Sequence, residues 1–306
     1  MKPPLRIGLK LLATGTLDPS KPGNVQGDEQ VARSWHKYLV RSDRVQSVTI
    51  YDADSPITET LDALIHFNPF LRLHERTRNI LYLQNAFPES KYPNGVAGVF
   101  REVQERFHGF LYTSRPLMEV CGPGAVIPFA TDPEIFFPQP DPGFAVPVAL
   151  VGNDIRGGAI NNRYFVPAIP FGLVVYGNQW APPLSAVCRG KLSMSDLPKL
   201  YSSAKINLNA HLEDHIRWGT VNLRLYDILA CGGFVISDYN QSMVELFGEA
   251  IVCTGGHEDL WAKIVRYQWD DAERKRRAEL GRKIVLSGHT YETRTRDLLN
   301  YLDEIL

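Results

Sequence analysis

The sequence predicts an α/β protein built from two doubly wound, Rossmann-like domains with a cleft between them. Three observations predict this fold. Short apolar runs alternate with helical segments in both halves of the chain, which is typical of parallel sheets covered by helices. The length of 306 residues is enough for about two domains. A cluster of prolines near the middle of the chain marks a division.

The proline cluster defines the expected linker. Eight of the 21 prolines lie between Pro116 and Pro147. Proline has no backbone N–H and interrupts both helices and central strands. We therefore expect a linker near residue 140, an N-terminal domain over residues 1–140 and a C-terminal domain over residues 141–306.

The first half contains six apolar runs that predict strands. A helix is expected over residues 28–40, because Val31, Trp35, Tyr38 and Leu39 share one face at the helical period. Asp28 occupies the position expected for an N-cap. The predicted strands cover residues 5–12, 45–51, 63–67, 80–83, 110–112 and 125–129.

The second half repeats this alternation. Strands are expected over residues 146–151, 173–176, 186–188, 206–209, 234–237 and 250–253. Helices are expected over residues 196–204, 220–230, 243–247, 258–267, 272–285 and 292–305. Ligands of such sheets bind outside the carboxyl ends of the strands, so we look for chemistry at those ends.

Composition excludes several classes of protein. Hydrophobic residues make up 44% and charged residues 22%, and the formal net charge is −1. This balance is typical of a globular protein and argues against a general nucleic-acid binder, which needs a basic surface. The four cysteines match no zinc spacing and predict reduced thiols in a cytoplasmic protein. Apolar runs long enough to cross a membrane are absent from the sequence.

The strongest local signal lies in the predicted helix over residues 220–230. Thr220, Arg224 and Asp227 are spaced i, i+4 and i+7 on an otherwise apolar helix, which places them on one stripe. Two interpretations stay open: an Arg224–Asp227 pair on a solvated face, or a ligand contact in the cleft. In the second, the helix N-terminus and Arg224 bind phosphate, and Asp227 accepts from sugar hydroxyls.

At this point the sequence resembles a known family. Residues 200–211 read LYSSAKINLNAH and residues 221–234 read VNLRLYDILACGGF, followed by Asp238-Tyr239 and Glu245-Leu246-Phe247. This resembles GT-B glycosyltransferases of the CgeB-related group, and more broadly the C-terminal domains of glycosyltransferase families 1 and 4. The likeness runs from about Gly152 to the C-terminus. In the first domain it rests on VIPFATDP at residues 126–133.

The resemblance implies that the C-terminal domain binds a nucleotide-sugar donor and the N-terminal domain the acceptor. Related retaining enzymes carry two glutamates, of which the second corresponds to Asp227 and the first to Gly219. The missing first glutamate leaves retention or inversion open. The family works without metal or other cofactor, so HLEDH at residues 211–215 predicts no metal site. The last helix, about residues 290–306, is expected to pack back onto the first domain.

The resemblance also implies a set of donor-binding residues. Arg163 is taken as the basic phosphate ligand, with Arg156 as its competitor. The remaining expected donor-binding residues are Gly152, Asn153, Gly177, Lys191, Leu192, Asn209, Thr220, Val221, Asn222, Arg224 and Asp227.

Three residues are expected to be catalytic. The loop of residues 13–27 follows the first strand and faces the cleft in this fold. An inverting enzyme needs a base there to deprotonate the acceptor hydroxyl. Asp28, Glu29 and His36 are the nearest candidates, with His66 at another strand end. Asp28 as a plain N-cap is the competing interpretation. His211, at a strand end, is expected to contact the donor phosphate or sugar.

The acceptor and the reaction stay open at this stage. A sugar, a lipid-linked molecule or another small molecule would each supply a hydroxyl. The basic run at residues 274–277 is read as a solvated helix face, with a peripheral membrane contact as the alternative. Two other functions compete with transfer: a nucleotide-sugar epimerase of GT-B fold, and a non-catalytic relative that binds sugar nucleotides or has a structural role.

Overall fold

The computed structural model describes residues 3–306; Met1 and Lys2, which the expected first domain includes, lie outside the described residues. Within the described part, the strands form two parallel sheets, one of six strands and one of five. Helices separate most successive strands. The predicted α/β fold with two doubly wound sheets is confirmed.

The first sheet has the order β2-β1-β3-β4-β5-β6. Its core packs Trp35 against Phe67 and Tyr82 at centroid distances of 5.4 and 4.9 Å. The strands are β1 (Leu5–Lys10), β2 (Val45–Tyr51), β3 (Ala63–His66), β4 (Arg78–Leu83), β5 (Gly109–Tyr112) and β6 (Ala125–Val126). The helices are α1 (Gly27–Leu39), α2 (Gly95–Val103) and α3 (Arg115–Cys121).

The second sheet has the order β11-β10-β9-β7-β8. The strands are β7 (Val148–Val151), β8 (Leu173–Tyr176), β9 (Ile206–Asn209), β10 (Val235–Ser237) and β11 (Ile251–Cys253). The helices are α4 (Gly158–Tyr164), α5 (Leu197–Ser203), α6 (Glu213–Arg217), α7 (Leu223–Ala230), α8 (Gln241–Phe247), α9 (His257–Trp269), α10 (Asp271–Gly288) and α11 (Tyr291–Ile305).

The carboxyl ends of the strands in each sheet lie at one edge, because the recorded strand pairs are parallel. In the first sheet Lys10, at the end of β1, pairs with His66 at the end of β3. In the second, Ser237 at the end of β10 pairs with Asn209 at the end of β9. The loops that follow these strands therefore gather polar side chains at two edges.

The last helix connects the end of the chain to the first sheet. α11 packs against α1, and the Tyr301 hydroxyl accepts a 3.0 Å hydrogen bond from the backbone N–H of Phe110 in β5. Arg294 donates to the carbonyl of Pro128 at 2.9 Å. Among residues 3–306, each helix is too short or too polar to cross a bilayer.

Three predicted elements are wrong in detail. Residues 184–187 form a 3-10 turn instead of a strand, with one bridge from Cys188 to Val175; the prolines at 182 and 183 precede it and lack N–H groups. Helix α7 begins at Leu223 instead of Thr220. Helix α1 begins at Gly27 with Gln26 as its N-cap, so Asp28 lies in the first turn and is not the cap.

Candidate functional site

Two glycines end β7 and β8 and let their backbones approach closely. A Cβ on Gly177 would lie 1.7 Å from the carbonyl oxygen of Gly152, and the φ angle of Gly177 is +138°. The indole N–H of Trp180 donates to the same oxygen at 2.9 Å. A side chain at either position would separate the two strand ends. Gly152 and Gly177 therefore shape the floor of the cleft at this edge.

Two arginines flank Gly152. The position that a Cβ of Gly152 would occupy is 2.5 Å from Nη2 of Arg224 and 3.6 Å from Nη1 of Arg156. Arg224 donates to Oδ1 of Asn209 at 3.1 Å, and Arg156 donates to the carbonyl of Ala210 at 2.8 Å. In the described part of the chain, these hydrogen bonds go to uncharged oxygens.

The environment of Arg156 and Arg224 disfavours their positive charges. Burial lowers the pKa of both guanidinium groups, and the charge of Arg224 lowers the pKa of Arg156 further, against the opposing charges of Asp238 and Asp154. Both residues are partly buried, and two neighbouring cations that are partly withdrawn from water are destabilising unless an anion joins them. Arginine is the side chain best suited to bind phosphate oxygens in pairs. The arrangement therefore suits a phosphate-bearing ligand.

An amide network connects the strand ends to the start of α7. Nδ2 of Asn222 donates to Oδ1 of Asn209 at 3.1 Å and to the carbonyl of Ala210 at 2.9 Å. Nδ2 of Asn209 donates to Oγ of Ser237 at 2.9 Å. Asn222 thus fixes the first turn of α7, whose N–H groups carry the positive end of the helix dipole, beside β9 and β10.

His211 is fully buried at the end of β9 and forms a dyad with Asp238. Its Nδ1 lies 2.7 Å from Oδ1 of Asp238, and its backbone N–H donates to Oδ2 at 2.8 Å. Nε2 of His211 has no hydrogen-bond partner among the described residues. The carboxylate orients the ring and leaves Nε2 as the nitrogen without a partner in the described part of the chain.

A second histidine extends this cluster. Nδ1 of His215 lies 3.2 Å from Oδ1 of Asn222, and its Nε2 is buried without a partner in the described part. Burial and the charge of Arg156 lower the pKa of His215 to about 4, against the hydrogen bond that Nδ1 makes to Oδ1 of Asn222. His215 is therefore neutral near pH 7 and contributes hydrogen bonding instead of charge.

The loop of residues 13–27 lies against the residues that follow β7 and β8. Nδ2 of Asn153 donates to the carbonyl of Val25 at 2.8 Å, and Nδ2 of Asn178 donates to Oδ1 of Asn24 at 3.1 Å. The Lys191 ammonium donates to a carbonyl of the same loop. Asn153 and Lys191, which the sequence suggested as donor ligands, thus hold the loop against the ends of β7 and β8.

Glu29 anchors the other side of this loop. Its carboxylate accepts hydrogen bonds from the backbone N–H groups of Gly15 at 2.8 Å and Thr16 at 2.6 Å, and forms an ion pair with Arg33 at 2.7 Å. These contacts engage both oxygens of a carboxylate that the sequence suggested as a base. Its place in the structure is that of a loop anchor.

Asp28 lies at the start of α1, opposite the start of α7. A Cβ on the preceding Gly27 would be 3.7 Å from a methyl group of Leu223, the first residue of α7. Burial raises the pKa of Asp28 to about 6, and hydrogen bonds from backbone N–H groups oppose this shift. One Asp28 oxygen accepts from the N–H of Glu29 at 3.0 Å. A carboxyl with this pKa can exchange a proton near neutral pH.

Asp227 is buried and faces the first half of the chain. Its carboxylate accepts from Oγ1 of Thr131 at 2.9 Å and from Nε2 of Gln30 at 2.7 Å. Burial raises the pKa of Asp227 to about 8, against these two hydrogen bonds. A solvated Arg224–Asp227 pair is therefore not what the structure contains. The role of Asp227 toward sugar hydroxyls stays a prediction.

The remaining expected donor-binding residues lie in different surroundings, and some of them are away from the arginine pair. Arg163 is exposed and donates to the carbonyl of Gly255 at 2.8 Å, so Arg156 and not Arg163 accompanies Arg224. Oγ1 of Thr220 lies 2.7 Å from Oγ1 of Thr113, next to the buried Val221. Leu192 packs against a small apolar cluster beside β7 and β8.

Comparison with solved structures shows the fold. Sucrose-phosphate synthase from Thermosynechococcus elongatus is 14% identical, with a TM-score of 0.70 over 98% of this chain and 99% of that one. A glycosyltransferase from Rickettsia africae is 12% identical (TM-score 0.67, 99% and 98% covered). Anabaena HepE, in complex with UDP and glucose, is 10% identical (TM-score 0.65, 98% and 99% covered). No curated protein sequence matches this chain.

A family model described as glycosyl transferase-like matches residues 160–300. The match covers the segment that carries Asn209, His211, Asn222, Arg224 and Asp227. The chain has the GT-B fold of these glycosyltransferases over nearly its full length, and residues 160–300 match the glycosyl transferase-like family. Both the suspected family and the enzyme class are confirmed.

Sequence reasoning missed part of the cleft of this glycosyltransferase. The sequence offers Arg156 only as the competitor of Arg163, because no periodic pattern orients a residue in the loop after β7. It identifies Asp238 as a motif residue and not as the partner of His211, since the two are 27 residues apart in the chain. The signal that could have found it is the register of β9 and β10, whose ends are adjacent.

Proposed function

We propose that this glycosyltransferase moves a sugar from a nucleoside-diphosphate sugar to an acceptor hydroxyl. The observation that carries the proposal is the pair Arg156 and Arg224 beside Gly152, next to the first turn of α7. Two guanidinium groups and a helix N-terminus offer several N–H donors and positive potential to one diphosphate. The low net charge of the chain agrees with this, because recognition needs only local cations.

The two arginines serve the transition state as well as the ground state. As the bond to the anomeric carbon breaks, negative charge grows on the departing diphosphate. Preorganised cations stabilise this charge more strongly than the charge of the intact donor, and this difference accelerates the reaction. Since side chains supply the positive charge, we propose that transfer requires no metal ion. Turnover should then persist when EDTA is added.

Asp28 is the proton acceptor that we propose for the acceptor hydroxyl. It lies at the start of α1, which faces the start of α7 across the cleft. The contacts of Glu29 with Gly15, Thr16 and Arg33 leave its carboxylate less free for this task. The proposal corresponds to an inverting reaction, in which a base activates the nucleophile while the diphosphate leaves on the opposite side. His211, oriented by Asp238, is proposed to contact the donor through Nε2.

The loop of residues 13–27 is proposed to cover the donor. It is held at Glu29 on one side and at Asn153 and Asn178 on the other. A covered site keeps water from competing with the acceptor for the activated sugar.

The nucleotide is the first unknown to resolve. Solved structures with the same fold contain UDP, so UDP is the first candidate. A thermal-shift panel of UDP, GDP, dTDP and CMP, with the corresponding sugar nucleotides, identifies the base. A ligand at 100 times its Kd stabilises the native state by about 2.7 kcal/mol. The absence of a shift with every nucleotide would overturn the proposed function.

A further inference from the structure

The side chain of Asp214, which follows β9 of the second sheet, contacts residues that follow β4 of the first sheet. Asp214 lies in the short helix α6, between β9 and α7. Its Oδ2 accepts a 2.8 Å hydrogen bond from the backbone N–H of Phe87, which follows β4, and a 3.1 Å hydrogen bond from the N–H of Val96 in the first turn of α2. The carboxylate therefore caps the N-terminus of a helix on the opposite side of the cleft, where the dipole favours negative charge.

The surroundings of Asp214 are shaped for this contact. Asp214 is buried, and a Cβ on Gly95 would lie 2.3 Å from its Oδ1. The φ angle of Gly95 is +56°, a conformation that glycine adopts most easily. Glycine at position 95 thus satisfies both the backbone conformation and the space that the carboxylate needs.

Further contacts hold the same segment against the first sheet's side. Oγ of Ser114, the N-cap of α3, donates to the carbonyl of Trp218 at 2.5 Å. Thr220 contacts Thr113, which follows β5. Arg217 forms an ion pair with Glu89. Four separate contacts therefore join residues 214–220 to the loops after β4 and β5.

The two ends of this segment carry the groups that we assign to the donor. His211 precedes α6, while Asn222 and Arg224 follow it. The position of α6 therefore determines where these groups lie relative to α2 and α3. A shift of about 1 Å in such groups is enough to reduce a reaction rate strongly.

We propose that Asp214 is a positioning residue, which holds residues 211–224 against α2 and so fixes the donor-binding groups relative to the acceptor side. The inference rests on the proposed function. It accounts for the HLEDH segment at residues 211–215: His211 pairs with Asp238, Asp214 caps α2, and His215 contacts Asn222. The diphosphate ligands themselves lie on one side of the cleft, so nucleotide binding needs this contact less than transfer does.

The test compares Asp214→Ala and Asp214→Asn with Glu213→Gln, which changes an exposed carboxylate in the same helix. UDP affinity is measured by titration calorimetry. UDP release is measured with the UDP-sugar that stabilises the wild type most. We expect Asp214→Ala to bind UDP within about 3-fold of wild type and to lose at least 10-fold in kcat. Asp214→Asn, whose amide oxygen can still accept from both N–H groups, should recover part of this loss, and Glu213→Gln should match wild type.

A second variant, Gly95→Ala, tests the same contact in case Asp214→Ala does not fold. Gly95→Ala places a methyl group against Oδ1 of Asp214 and breaks the contact from the acceptor side, so it should give the same loss of kcat with UDP affinity preserved. Wild-type kcat in folded Asp214→Ala or Gly95→Ala protein would overturn the proposed positioning role. Failure of the wild type to bind any nucleotide would instead overturn the proposed function, so the two failures are distinguishable.

Discussion

At the scale of single residues, the cleft brings two positively charged guanidinium groups close together. An anionic ligand would reduce the repulsion between them. Arg156 and Arg224 lie on either side of Gly152, and their hydrogen bonds go to uncharged oxygens in the described part of the chain. Both arginines are partly buried, and a hydrophobic residue can replace a poorly compensated charge in such a place without loss of stability. We therefore expect this arginine pair to favour nucleotide binding while lowering the free energy of unfolding of the ligand-free protein.

The first prediction follows from this opposition. Arg156→Met should leave the ligand-free free energy of unfolding unchanged or raise it by about 1 kcal/mol, while nucleotide affinity falls at least 10-fold. Urea denaturation and nucleotide titration measure the two quantities. Arg163→Met is the matched control, because Arg163 is exposed. A large loss of stability in Arg156→Met would argue against an uncompensated charge.

The second prediction concerns the proposed base. The raised pKa of Asp28, about 6, means that the carboxyl loses its proton as the pH rises through 6. Because a base must be deprotonated, kcat/KM should rise with pH across this value and level off above it. Asp28→Asn should lower kcat at least 100-fold and remove this limb of the profile. If kcat/KM of Asp28→Asn still rises with pH across 6, the titrating group is not Asp28.

The third prediction concerns Asp227. Its pKa in the folded protein, about 8, is above the ordinary value of 3.8, so the folded state binds this proton more tightly than the unfolded state. Stability from this group is full below about pH 4 and is lost as the pH rises toward 8. Asp227→Asn should therefore gain stability relative to wild type between pH 5 and pH 8.5, measured by urea denaturation. Parallel curves for the two proteins would contradict the raised pKa.

At the scale of elements, the strands were predictable and several short helices were not. Apolar runs of four to seven residues identify buried parallel strands, and β2 and β8 have the predicted bounds. Helix α6 has five mostly charged residues, and such a short segment is not stable by itself. Asp214 of this helix accepts hydrogen bonds from the N–H groups of Phe87 and Val96, and such tertiary contacts are not contained in any local pattern.

The site was predictable where it lies on regular elements. Asn209, Asn222 and Arg224 were identified from the segment around α7 and meet in the structure. Loop residues were harder, because their orientation depends on contacts across the cleft. Asn153 and Lys191 bind the loop of residues 13–27, and Arg163 lies near Gly255 instead of Arg224.

The fourth prediction concerns that loop. Glu29→Ala removes the acceptor of the Gly15 and Thr16 N–H groups, so hydrogen exchange at these amides should accelerate at least 10-fold while the strands keep their protection. Exchange is followed by mass spectrometry. Glu75→Ala, at an exposed carboxylate elsewhere in the first half, is the control. Unchanged exchange at residues 15 and 16 would show that Glu29 does not anchor the loop.

At the scale of the whole molecule, the chain has a net charge of −1, and we assign phosphate recognition to one local pair of cations, Arg156 and Arg224. The basic run of residues 274–277 does not provide it, because Arg276 and Arg277 pair with Glu273, and Arg274 pairs with Asp271. The two sheets are joined by α11, by the loop of residues 13–27 and by α6. Contacts on several sides of the cleft keep the groups that we assign to the donor and to the acceptor in a defined geometry.

The measurement that tests the central claim most directly is titration calorimetry of UDP, or of whichever nucleoside diphosphate the thermal-shift panel selects. It compares wild type with Arg156→Ala, Arg224→Ala and Arg163→Ala. Our account predicts at least a 10-fold loss of affinity in the first two variants and less than a 2-fold change in the third. Equal affinity of wild type, Arg156→Ala and Arg224→Ala would contradict the assignment of this arginine pair to the donor diphosphate.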